Sequence, residues 1–266
     1  MIQPFNHRLA LILACTLAMS GLAQTFEEYA RDAGVPVYEF EVLAELPHDT
    51  NSFTQGFVYE NGLLYESTGR YSQSTVQIID AKTGELKRRI SLDAKYFGEG
   101  LTIVGDELIQ ITWTEGTAFT YNKKDLSKQR TLTYDTEGWG LTTIGNTLIM
   151  SDGSSRLSFR DPDDFALDYT VQVRFGQDKL RFLNELEFVH DAVYANILGY
   201  DYIVEIKPST GDVTGIVNCT VLRDQINAPE DMKPMNGIAY DPATANFYLT
   251  GKLWPKIFCG KFVRKF

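Results

Sequence analysis

The 266-residue chain reads as an all-β protein, a five-bladed β-propeller with four antiparallel strands per blade. Three observations predict this. A short phrase, a polar or aromatic residue beside glycine or leucine and then a hydrophobic run, occurs five times: Gln55-Gly56-Phe57, Glu99-Gly100-Leu101, Trp139-Gly140-Leu141, Glu185-Leu186-Glu187 and Asn236-Gly237-Ile238. From Phe57 through Leu101, Leu141 and Leu186 to Ile238 the steps are 44, 40, 45 and 52 residues, the period of propeller blades rather than of helical repeats. Between the phrases, alternating segments flank polar turns as in hairpins, and no long helix, coiled coil or low-complexity tract interrupts them.

The elements follow in chain order. In residues 1–23, Arg8 precedes the apolar run 9–19, and Gly21-Leu22-Ala23 offers small residues for cleavage. That pattern predicts a signal peptide and export to the periplasm or the extracellular space. The run is too short to span a bilayer comfortably and nothing later is longer, so no membrane attachment is expected once the leader is gone. Cleavage after Ala23 would leave Gln24 first, itself open to cyclisation. Residues 24–37 read as a short polar helix or arm packed outside, and residues 38–266 as one propeller domain.

In the first blade the phrase at Gln55 is followed by strands at 76–80 and 86–90 around the turn Thr83-Gly84. Lys123-Lys124-Asp125 and Asp161-Pro162-Asp163-Asp164 mark the same turn in the second and third blades. The fourth places Thr210-Gly211 between strands 203–206 and 213–217. After residues 237–250 the fifth blade has only 257–263 left, one strand short, and the alternating segment 38–46 is expected to supply it and close the ring. Closure removes the free edges that invite aggregation.

Composition prunes the functions. Loss of a leader whose only charge is Arg8 takes the net charge from −10 to −11, which repels phosphates, and no basic stripe is present, so nucleic acid is not an expected partner. Cys219 and Cys259 are the cysteines left, and both a pairing across blades and two buried thiols stay open. His48 and His190 share no metal-ligand spacing, and the nucleophile elbow and phosphate-cradling loop are absent. No metal ligand set and no required cofactor are expected, and a structural ion on the axis stays open.

What remains is a set of acids, amides and aromatics at equivalent places near the axis: Phe53 and Gln55, Phe97 and Glu99, Trp113, Trp139, Asn184 with Glu185, and Lys252. Aromatic faces hold an ammonium or a flat amide, while Gln and Asn fix its direction. Plainer readings stand beside these. The glycines suit packing near the axis, Trp113 and Trp139 suit blade-to-blade core, Glu99 suits tying two blades through backbone N–H groups, and Lys252 competes with Lys256.

The phrases His48-Asp49, Ser52-Phe53-Thr54-Gln55-Gly56, Glu66-Ser67-Thr68-Gly69 with Tyr71, and Phe97-Gly98-Glu99-Gly100-Leu101-Thr102 begin an ordered series. It continues through Thr112-Trp113, Glu137-Gly138-Trp139-Gly140-Leu141, Ser151-Asp152-Gly153, Asn184-Glu185-Leu186-Glu187, Asn236-Gly237-Ile238-Ala239-Tyr240-Asp241 and Thr250-Gly251-Lys252. From about residue 38 onward the chain thereby resembles the plant and bacterial type of glutaminyl-peptide cyclotransferases, five-bladed propeller enzymes that convert N-terminal glutamine to pyroglutamate. The resemblance implies peptide or protein substrates with N-terminal glutamine, no cofactor, and a monomer. It implies Glu99 as proton shuttle, Lys252 facing the developing oxyanion, Gln55 and Asn184 orienting the amine and carboxamide, and Phe53, Phe97, Trp113 and Trp139 walling the pocket. One departure stands at Leu198, where the family carries a tryptophan; weaker substrate binding is expected from it. A noncatalytic propeller that binds a peptide or small cation in the axial pocket, and a metal-dependent propeller lactonase, are the competing readings.

Overall fold

The computed structural model describes residues 25–226 and 233–265; the expected signal peptide and Gln24 lie outside them. β-Branched and aromatic residues alternating with polar ones, between turns rich in Gly, Asn and Asp, give sheets throughout. The first sheet runs in chain order through β1's neighbours in sequence, β2 (Thr54–Glu60), β3 (Leu63–Thr68), β4 (Thr75–Asp80) and β5 (Leu86–Ser91), where β1 is Val37–Pro47. The second holds β6 (Gly98–Val104), β7 (Glu107–Thr112), β8 (Thr117–Asn122) and β9 (Lys128–Thr133). The third holds β10 (Leu141–Ile144), β11 (Thr147–Ser151), β12 (Arg156–Arg160) and β13 (Leu167–Gln172), followed by a small ribbon of β14 (Arg174–Phe175) and β15 (Asp178–Lys179).

The remaining strands are β16 (Leu183–Val189), β17 (Ala192–Ile197), β18 (Tyr202–Ile206), β19 (Val213–Asn218), β20 (Met235–Asp241), β21 (Asn246–Gly251) and β22 (Lys256–Arg264). They join β1 in one eight-stranded sheet of order β16-β17-β18-β19-β1-β22-β21-β20. As expected, the early strand pairs antiparallel with the last one, from Tyr38 opposite Arg264 to Pro47 opposite Lys256. It also pairs parallel with β19 through Val37, Tyr38 and Glu39, which the alternation did not reveal.

In the four-stranded sheets the last strand is exposed and the first is not: Thr54 to Val58 of β2 are inside, whereas Leu86, Lys87, Arg88 and Arg89 of β5 face solvent. Charged outer strands of this kind discourage edge-to-edge pairing. The inner strands pack in succession, β2 on β6, β6 on β10, β10 on β16, β16 on β20, and β20 on β2. A side chain at Gly56 would collide with Gly100 and Leu101, one at Gly100 with Gly140 and Leu141, and one at Gly140 with Asn184 and Glu185. Close backbone approach from one repeat to the next is therefore what the recurring glycine serves.

Two buried acids knit the sheets. Glu185 Oε1 accepts from the Phe57 N–H at 3.1 Å and Oε2 from the Ile238 N–H at 2.8 Å, so one carboxylate binds β16 to β2 and β20. Glu66 Oε1 accepts from Thr54 Oγ1 at 2.6 Å and lies 3.1 Å from His48 Nε2, while Gln77 Nε2 donates to Glu66 Oε2. His48 Nδ1 in turn meets the Trp254 carbonyl at 2.8 Å. Both ring nitrogens face acceptors, so the ring serves as an imidazolium with two donors. Burial alone would push His48 down and Glu66 up; their mutual attraction and hydrogen bonds instead hold His48 above and Glu66 below their ordinary values.

The N-terminal segment is less peripheral than a polar arm. Thr25 and Glu28 form a capping box that starts the helix Phe26–Asp32. That helix buries Ala30 and stacks Phe26 on Tyr202 at 5.1 Å, joining the largest apolar cluster. Cys219 and Cys259 are free thiols buried in separate clusters. Among the described residues no helix is long and apolar enough to cross a membrane.

Candidate active site

Three polar side chains make a buried floor, and a fourth is buried apart from them. Gln55 on β2, Glu99 on β6, Asn184 on β16 and Lys252 just after β21 are each no more than 5% exposed. Gln55 Nε2 donates to Glu99 Oε1 at 2.8 Å. Asn236 Nδ2 donates to Gln55 Oε1 at 3.2 Å and to the Thr54 carbonyl at 3.0 Å, so it fixes which end of the Gln55 amide faces Glu99. Asn184 stands apart: its side-chain Oδ1 is buried without a hydrogen-bond partner. Its backbone carbonyl, which accepts from Ser151 Oγ at 2.7 Å, lies against Gly140 beside Trp139.

Half-buried aromatics stand around this floor, on the loops that lead into or out of the two innermost strands. Phe97 meets Phe53 edge-on at 6.1 Å, Trp113 at 5.6 Å and Tyr71 at 5.4 Å. Gly69 leaves room for the Phe97 ring, and Gly153, with φ +74°, leaves room for Trp139: a Cβ there would meet its indole at 2.5 Å. Lys252 Nζ lies 5.0 Å from the Phe53 ring centroid, within cation–π range. The competing lysine, Lys256, is engaged elsewhere with Glu45 at 2.6 Å and the Gln225 carbonyl.

Two acids that the sequence reading left out complete the group. Glu137 Oε2 accepts from both indoles, Trp113 Nε1 at 2.9 Å and Trp139 Nε1 at 3.0 Å. Glu115 accepts from Tyr71 Oη at 2.8 Å and from the Phe97 N–H at 3.3 Å. The signal was present in the sequence, since each acid sits two residues from a tryptophan. The two tryptophans are thus held at their N–H ends by a carboxylate and are not blade-to-blade core. Nor does Glu99 tie sheets through backbone N–H groups; Glu185 does that.

The electrostatics single out one pair. Burial pushes the Glu99 carboxyl well above the ordinary carboxylate range; the Lys252 ammonium opposes this, and the charges of Glu115 and Glu137 add to it. Burial lowers Lys252 to about 8, with Glu99 opposing. A carboxyl with raised proton affinity beside an amine with lowered proton affinity suits proton transfer next to a developing anion.

The sequence profile of glutamine cyclotransferases matches residues 11–262. The chain belongs to the glutamine cyclotransferase family. It is 39% identical over 226 residues, 84% of this chain and 71% of the relative, to a glutaminyl-peptide cyclotransferase of Arabidopsis thaliana. The structure resembles the crystal structure of Myxococcus xanthus glutaminyl cyclase, with a TM-score of 0.82 and 35% identity over 86% of this chain and 99% of that one. Of the residues expected at the site, Gln55, Glu99 and Lys252 are brought to one place with Phe53, Phe97, Trp113 and Trp139. Asn184 reaches the group through its backbone at Gly140. Leu198, half-buried at the end of β17, donates its N–H to the Phe182 carbonyl at 2.9 Å.

Proposed function

We propose that this chain is a glutaminyl-peptide cyclotransferase in which Glu99 shuttles the proton, converting N-terminal glutamine of peptides or proteins to pyroglutamate and ammonia. The observation that carries this reading is a buried carboxyl, hydrogen-bonded on one oxygen by Gln55 and facing a buried lysine. The neutral α-amine attacks the side-chain carboxamide carbon, forming the new C–N bond and an oxyanion. The Glu99 carboxylate takes the proton from the attacking nitrogen and delivers it to the departing one as the old C–N bond breaks. Ammonia leaves, and the carboxylate is restored.

Lys252 faces the oxyanion, where a preorganised donor lowers a barrier by about 3 kcal/mol. Gln55 and Asn184 orient the folded-back glutamine, a preorganisation that replaces lost entropy. The four aromatics exclude water that would hydrolyse the amide. The balance of atoms calls for no cofactor. A five-bladed ring supplies the frame, supported by the inner-strand contacts that run from β2 back to β2, with β1 completing the last blade. Export as a monomer after loss of residues 1–23 belongs to the same proposal.

The test is ammonia release from a Gln-Gln dipeptide, with Glu99→Gln beside the parent protein. Turnover by the parent and loss of at least about 10²-fold in the variant are expected, the scale of general acid–base catalysis. A folded parent that binds the peptide and releases no ammonia overturns the reading in favour of a noncatalytic propeller.

A further inference from the structure

We propose that Glu137 is the positioning residue of the pocket, one carboxylate oxygen holding both indole walls in place while its charge faces Glu99. The inference rests on the cyclotransferase reading and adds a residue to it. Trp113 follows β7 of the second sheet and Trp139 precedes β10 of the third, so the two indoles share no strand. They share Glu137 Oε2 instead, at 2.9 and 3.0 Å. Hydrogen bonds to an ionised acceptor are stronger than neutral ones, and two convergent donors fix the rings in rotation as well as in place.

The loop is built to present this acid. The Gly138 N–H donates to the Trp113 carbonyl at 2.8 Å, and a Cβ at Gly138 would meet Tyr134 Oη at 2.5 Å and the Thr112 carbonyl at 2.8 Å. Residue 137 is thereby pinned between the indoles although it is itself exposed. Burial does not hold it there; the two indole N–H groups do. The charged and titratable groups facing Glu99 are Lys252, Glu115, Glu137 and the phenols of Tyr71 and Tyr134. Glu115 is engaged with Tyr71 and Phe97, which leaves Glu137 as the acid that acts on the tryptophan side.

Two substitutions separate geometry from charge. In Glu137→Gln the amide oxygen still accepts from both indoles and the charge is gone; in Glu137→Ala both are gone. The chain has three tryptophans, and Trp254 is buried and bonded to the Lys233 carbonyl, so changes in indole emission report on the other two. For Glu137→Ala the expected results are altered emission without substrate and a KM raised about tenfold, with kcat less affected. For Glu137→Gln they are parental emission, near-parental KM, and an acid limb of kcat/KM moved to lower pH, because a negative charge has left the surroundings of Glu99.

Parental emission and KM in Glu137→Ala, or an unmoved acid limb in Glu137→Gln, would overturn the proposal. Should Glu137→Ala not fold, by circular dichroism, the Glu137→Gln profile decides. A parent protein inactive on glutamine peptides would defeat the cyclotransferase reading itself, and the emission arm would still judge the indole clamp.

Discussion

Gln55 Nε2 lies 2.8 Å from Oε1 of Glu99, and this hydrogen bond makes the two oxygens of the carboxyl unequal. Oε1 is committed to accepting, so Oε2 is the oxygen free to carry the mobile proton. The arrangement depends on Asn236, whose Nδ2 holds Gln55 Oε1 and keeps the amide from turning over.

Asn236→Asp tests that dependence. A carboxylate cannot donate to Gln55 Oε1, so the amide turns its oxygen toward Glu99 and two acceptors face each other. A kcat loss of about tenfold or more is expected with the fold retained, given about 1–3 kcal/mol for an unsatisfied buried polar group. Steady-state kinetics with circular dichroism as the fold control checks it.

Lys252→Met removes the ammonium and keeps the length. Loss of one preorganised donor predicts a fall in kcat/KM of about 10²-fold. In the parent, activity falls above about pH 8, where Lys252 loses its proton, while the substrate amine becomes reactive over the same range. The parent profile is therefore a bell peaking near that pH, its acid limb shared by Glu99 and the substrate amine, and the variant profile rises to a plateau without the alkaline limb.

The His48–Glu66 pair sets a pH window for stability. Glu66 is held below its ordinary value of 4.5, so its contribution is present above that pH and is lost as pH falls through its folded value. His48 is held above 6.5, so its contribution is complete below that pH and is lost as pH rises through its folded value. Together they predict a plateau between about pH 4.5 and 6.5. Glu66→Gln strands a buried imidazolium and should destabilise by about 3 kcal/mol, flattening the dependence of the urea midpoint on pH.

Gly140→Ala drives a methyl group into the Asn184 carbonyl and the Glu185 backbone. Overpacking of this kind costs about 1–3 kcal/mol. Because Asn184 is displaced as well, kcat should fall by more than the loss of folded protein explains, measured as activity per folded molecule.

Much of the sheet architecture was legible because a propeller repeats its hydrophobic phrase once per blade and because residues 38–46 alternate with period two. The parallel pairing of β1 with β19 was not legible, since alternation names a strand's faces and not its neighbours. Gln55, Glu99 and Asn184 were legible because each belongs to or adjoins an inner-strand phrase, whereas Lys252, just after β21, was legible through the resemblance. Glu115 and Glu137 were missed because nearness to a tryptophan in sequence does not say which group an acid meets, and only the folded loops turn indole and phenol groups onto them. The plainer reading of Glu99, tying two sheets, fits Glu185 instead, a distinction made by which backbone N–H groups lie opposite.

The seam at β1 has a consequence for biogenesis. Residues 37–47 are translated early, yet their antiparallel partners at 256–264 come about 200 residues later, so the seam can zip only after nearly the whole chain has emerged. Until then β1 and β21 lack the strand that lies between them, β22. Lys252 precedes that final strand by four residues, so the segment that carries the buried ammonium gains its strand partner among the last events of synthesis.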